Sequence, residues 1–93
     1  MATQVIKKDG TKQPFDAEKI KNAIAAAAVR TDLSEERKRE VVERVAAKVI
    51  QMAEEKEEIA TSEIRENILS ELDDVEPAVS EAWRKYEEEN KSA

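Results

Sequence analysis

A chain of 93 residues, 40% hydrophobic and 41% charged with only Phe15, Trp83 and Tyr86 as aromatics, has room for one domain with a thin aliphatic core. It contains no Cys and no His, which excludes disulfides, a thiol nucleophile, the usual general base and the commonest zinc ligands together. The net charge of -6 is uneven, with a basic excess in residues 1–30 and an acidic remainder, so most of the surface repels a nucleic-acid duplex while a small polyanion need meet only the basic end.

Val5 and Ile6 are β-branched residues suited to a strand. Asp9-Gly10 then signals a hairpin, because Gly accepts the positive φ of a two-residue turn and Asp tolerates it. Gly10 is the only glycine in the chain. Lys12 to Phe15 can pair back until Pro14, which has no N–H to donate, weakens the ladder. Asp16 reads as the N-cap of a first helix, with Glu18 in its first turn and Ile20, Ala23, Ile24 and Ala27 along one face. Lys7, Lys8, Lys12 and Lys19 are thereby gathered around one turn and one helix N-terminus, where backbone N–H groups favour negative charge. This corner reads as an anion site, although lysines on a short hairpin also serve solubility and edge protection, and composition alone does not choose between the two.

Thr31 to Ser34 is a polar break, and Ser34 reads as the N-cap of a second and longest helix with Glu35 and Glu36 at its start. Val41, Val42, Val45, Ala46, Val49 and either Met52 or Ala53 form its apolar stripe, while Glu36, Glu40, Arg44 and Lys48 supply opposite charges on the wet side. Thr61 reads as the cap of a third helix whose Ile64, Ile68, Leu69 and Leu72 point inward. Pro77 stands at the first position of a fourth, with Val75, Val79, Ala82, Trp83 and Tyr86 as its inward face. Four amphipathic helices with short connections form a bundle, and a hairpin that is marginal alone must lie on it. The expected fold is therefore α+β, mostly helical: a four-helix bundle capped by a small N-terminal β-hairpin, with a pocket between the turn, the first helix and the start of the third. Adjacent acids such as Glu54-Glu55 and Asp73-Asp74 read as solvated helix ends, and the Gly-rich loop of P-loop hydrolases is absent. No apolar run approaches the ~20 residues that span a bilayer and no leader is apparent, so a cytoplasmic location is expected.

The run from Val5 to Ile20 closely resembles the opening of the ATP-cone domain, the adenine-nucleotide-sensing module of ribonucleotide reductase large subunits and of the repressor of their genes. The family's pattern of an apolar residue, a basic pair, Asp-Gly, a short polar stretch and Phe-Asp-x-x-Lys-Ile is met by Ile6, Lys7, Lys8, Asp9, Gly10, Phe15, Asp16, Lys19 and Ile20, with Lys8 where Arg is common. Ile59 to Ile64 is similar to the segment leading into the family's third helix, and Ala82 to Tyr86 to its closing aromatic helix. Glu87 stands where the family often has a basic residue, with Arg84 or Lys85 as substitutes for that phosphate contact. The resemblance implies one ATP-cone domain over residues 3–88, followed by an acidic tail over 89–93 that is expected to fray, and a third strand at Ile59-Ala60. It also implies ATP or dATP as ligand, alone or with Mg2+. The phosphates would lie on Lys7, Lys8 and Lys19 around Asp9 and Gly10, the nucleoside against Gln13 and Asp16, and the hydroxyl of Thr61 close by. Without the resemblance, Gln13 is strand polarity, Asp16 and Thr61 are helix caps, and Trp83 is a core anchor rather than a platform for a base.

The implied function is a non-catalytic regulatory module that binds adenine nucleotide and changes a surface read by a protein partner in trans, or its own self-association. No membrane contact and no direct nucleic-acid binding are expected. Reductase catalysis needs reactive cysteines, and the repressor reads DNA through a cysteine-rich zinc segment; neither fits within these residues, which read as a free-standing cone or one cut from a longer protein. The alternative is a small acidic helical interaction module that has lost nucleotide binding, favoured by Glu87 and by Lys in place of Arg at Lys8.

Overall fold

The computed structural model describes residues 4–90, which form β1 (Gln4–Ile6), β2 (Lys12–Pro14), α1 (Ala17–Val29), α2 (Glu35–Glu54), β3 (Glu58–Ala60), α3 (Thr61–Val75) and α4 (Pro77–Asn90). The fold is α+β and mostly helical, as the sequence implies. Of the domain and tail read from the sequence, residue 3 and residues 91–93 lie outside the described residues; helix α4 runs on through Asn90.

Local chemistry explains most of the boundaries. The Asp16 carboxylate accepts from the N–H of Glu18 at 3.0 Å and starts α1, and the Ser34 hydroxyl accepts from Arg37 at 3.1 Å and starts α2. Pro77 occupies the first position of α4, where its missing N–H costs nothing. The expected Thr61 cap is not found: Thr61 is the first residue of α3, the extended Ala60 precedes it, and no side chain caps the helix. The reason is that β3 runs straight into α3, so the capping position is filled by the last residue of a strand.

Helix α1 packs on α2 and α4, and α3 packs on the same two, closing a ring of four. Ile20, Ile24 and Ala27 of α1, Val41, Val45, Ala46 and Val49 of α2, Ile68 and Leu72 of α3 and Val79 of α4 meet inside it. Ala53, fully buried, continues the α2 stripe, while Met52 is only half-buried. No aromatic is among the fully buried side chains; Phe15 and Trp83 pack against the core from its edge. Tyr86 does not join the inward face and is 52% exposed. One turn beyond Trp83, α4 looks across a cavity at the small Ala26 and Ala27 of α1, so the ring sits on the rim with the Arg30 guanidinium 5.1 Å over it.

The corner between α3 and α4 is pinned by polar contacts. Ser80, 1% exposed, donates to Asp73 Oδ1 at 2.6 Å, and Arg84 grips both oxygens of Asp73 at 3.0 Å. Arg84, with help from Ser80, holds the Asp73 carboxyl down to about 2. Arg37 ties α2 to the same corner through Glu76 at 3.0 Å and the Val75 carbonyl at 2.9 Å. Along the wet side of α2 the ion pairs are Arg37 with Glu40 and Lys38 with Glu35.

The expected two-residue turn is instead a three-residue loop. Lys7 N–H donates to Thr11 O at 2.8 Å and Gly10 N–H to Lys7 O at 2.9 Å, so Lys8, Asp9 and Gly10 form a type I turn closed by Gly10 at φ +89. A two-residue type I′ turn would need positive φ at Asp9 as well. Asp9 avoids it because its carboxylate is engaged two residues on, accepting from the N–H of Thr11 at 3.0 Å and from its hydroxyl at 2.7 Å. Nothing lies within 4 Å of a Cβ placed on Gly10, so the penalty for Gly10→Val is backbone strain alone, about 1–2 kcal/mol or somewhat more for a branched residue. Denaturant unfolding should show that loss. A Val variant as stable as the parent would contradict the left-handed turn.

Candidate functional site

The sheet has the order β2-β1-β3, with β1 antiparallel to β2 and parallel to β3. Register places Val5 opposite Gln13 on one side and Ile59 on the other, which puts the three in one row on one face. Lys7 and Phe15, just past the ends of β1 and β2, continue that face by the alternation of the pleat, and Thr61 opens α3 beside them. Ile59 is 2% exposed and anchors that face, while Val5 and Phe15 are half-buried. Ile6 belongs to the opposite row, so the sheet is held down by Ile59 more than by the hairpin's own apolar residues. Lys12 also lies in that other row and pairs across β1 with Glu58 at 2.6 Å, which separates it from the other lysines of the corner.

Between this face, α1 and α3 lies a cleft of about 260 Å³. Its wall is apolar, from Val5, Phe15, Ile20 and Ala23 on one side to Ile64, Ile68 and Trp83 on the other. Its polar atoms come from Lys7, Gln13, Asp16, Lys19, Thr61 and Arg65. Lys7 is delivered by the end of β1 and Lys19 by the first turn of α1, and both side chains are exposed. Asp16 neutralises the start of α1 as its cap. The start of α3 has no side-chain cap, although Glu63 stands in its first turn and pairs with Lys56.

The structure therefore brings Lys7, Gln13, Asp16, Lys19 and Thr61 to one cleft and leaves the other candidates outside it. Lys8, Asp9 and Gly10 form the exposed turn beside it, where Asp9 serves the loop, its carboxyl held below the usual carboxylate range chiefly by the Thr11 hydroxyl. Arg84 is taken by Asp73, and Lys85 lies against a different groove with Thr31, Glu81 and Glu89. Trp83 both packs against the core and lines the cleft, so its two readings are compatible.

Arg65 escaped the sequence reading. It sits four residues after Thr61, one turn on along α3, and the spacing alone places it on the same face. Its guanidinium binds Glu87 through Nε at 2.7 Å and a terminal nitrogen at 2.6 Å. Arg65 in turn holds the Glu87 carboxyl below its ordinary value, with the Trp83 indole contributing. Glu87 itself lines a second cavity of about 290 Å³ between α1 and α4, which shares Ala23 and Trp83 with the first.

The fold is thus a small helical bundle with a three-stranded sheet laid on it and a cleft carrying cationic groups at the junction. The family model for the ATP cone domain matches residues 3–92, and the chain belongs to that family of nucleotide-sensing regulatory domains. No curated protein matches it significantly. Among the described residues no helix is long and apolar enough to cross a membrane.

Proposed function

We propose that the cleft binds ATP or dATP reversibly and that the bound nucleotide acts by ordering the sheet on the bundle, without chemistry. The observation that carries this reading is the placement of Lys7 and Lys19, with the uncapped start of α3, at the edge of an apolar cleft walled by Phe15 and Trp83. A base and sugar need apolar and aromatic surface with a few polar partners, for which Gln13, Asp16 and Thr61 are available. A polyphosphate needs charge-assisted donors, and lysines supply them as mobile point charges. Asp16 would repel phosphate, so the nucleoside belongs at its end of the cleft and the phosphates at the lysines. Mg2+, where it takes part, would travel on the phosphates, since among the described residues no group of three or more acids is gathered to hold it.

Because the strands are short and only Ile59 is deeply buried, the sheet is the part of the molecule that a bridging ligand can tighten most. The tightened surface, read by a protein partner or by a second copy of the chain, would be the regulatory output. ATP titrated into the protein should perturb backbone amides at residues 5–20 and around Thr61 and slow hydrogen exchange in the hairpin. It should also raise stability by about 2.7 kcal/mol at a hundredfold excess over Kd, and the nucleotide should be recovered intact. An unchanged spectrum at millimolar ATP would sink the reading in favour of the interaction module without nucleotide.

A further inference from the structure

We propose that Glu87 is a built-in competitor for the ligand's phosphates: it occupies the fork of Arg65 in the free protein, and a phosphate that takes Arg65 sets Glu87 free. The inference rests on the reading of the cleft as an adenine-nucleotide site. Arg65 lines the cleft, and Glu87 holds two of its N–H donors, at 2.7 and 2.6 Å, in the paired geometry that a phosphate would also use. Glu87 takes the edge formed by Nε and one terminal nitrogen, so a phosphate that seeks a two-bond grip on that edge has to displace the carboxylate. Exchange is feasible because the pair is shallow. The side chains of Arg65 and Glu87 are 45% and 36% exposed, and pairs so open to water hold weakly against a more highly charged anion.

The electrostatics make the exchange worthwhile. Lys7, Lys19 and Arg65 face Asp16 and Glu87 around the junction, so a phosphate chain meets only a slight excess of positive charge while Glu87 stays in place. Its departure removes the carboxylate nearest to Arg65. Glu87 and Trp83 lie one turn apart on α4 and line the second cavity together. A released Glu87 would thus alter the second cavity between α1 and α4 as well as the cleft, which couples phosphate binding to that cavity.

Calorimetric titration of ATP and of adenosine into the parent, Glu87→Gln, Arg65→Gln and the double variant tests this. Glu87→Gln should bind ATP about two- to fivefold more tightly than the parent, the scale of losing one exposed competing pair. The gain should vanish when Arg65 is already Gln. Adenosine, which has no phosphate, should bind the parent and Glu87→Gln alike. Equal ATP affinity in the parent and Glu87→Gln overturns the competitor and leaves the nucleotide site standing. A gain that persists in the Arg65→Gln background, or that appears equally with adenosine, also overturns it, because Glu87 would then act through space or through the nucleoside. Absence of ATP binding in every variant overturns this inference and the nucleotide site together.

Discussion

Replacing Lys7 by Ala is expected to weaken ATP binding about 10- to 100-fold, the loss of one hydrogen bond to a charged group at roughly 1.5–3 kcal/mol. Lys7 closes the hairpin through its backbone, with N–H to Thr11 O and carbonyl from Gly10 N–H, and those bonds survive the substitution. The side chain is exposed and lines the cleft, so its removal takes away a cation without opening a hole in the core. Unfolding midpoints without ligand should therefore match the parent. Calorimetry that finds parental ATP affinity in the variant would remove Lys7 from the site.

Leu72→Ala should be the most damaging core substitution, at about 2–5 kcal/mol. Leu72 is completely buried, one of the largest fully buried side chains, in a cluster whose other members are mostly Val and Ala, so its truncation removes a large share of the packed volume there. A domain holds only about 5–15 kcal/mol in total, so this loss is a large fraction of its stability. The midpoint of thermal unfolding should fall by roughly 10 °C or more. A shift of only a few degrees, with the native spectrum retained, would mean that α2 and α4 collapse onto the cavity.

Hydrogen bonds and periodicities that close within a few residues were legible in the sequence. Asp16 and Ser34 cap their helices because each oxygen reaches an N–H two or three residues away. The stripe through Val41, Val45 and Val49 follows the helical repeat. Gly10 marks the turn because it alone can take positive φ without strain, though the loop length depended on which atom Asp9 would engage. Lys7 and Lys19 could be assigned to one corner because only a turn and a short strand separate them.

Pairings between distant segments were decided by tertiary structure alone. The parallel placement of β3 beside β1 settled three things together: Ile59 became the anchor of the sheet, Thr61 began a helix it does not cap, and Lys12 was drawn to Glu58. Arg65 and Glu87 carry no mutual signal in the chain, since their approach requires α3 and α4 to pack side by side with particular faces turned together. The exposure of Tyr86 depends likewise on the small residues that α1 sets opposite it. The sequence thus determined where each helix and turn forms, because those choices rest on local sterics and hydrogen bonding. The contents of the cleft were left to packing, because a side chain on an amphipathic helix has its neighbours chosen by the other elements of the fold.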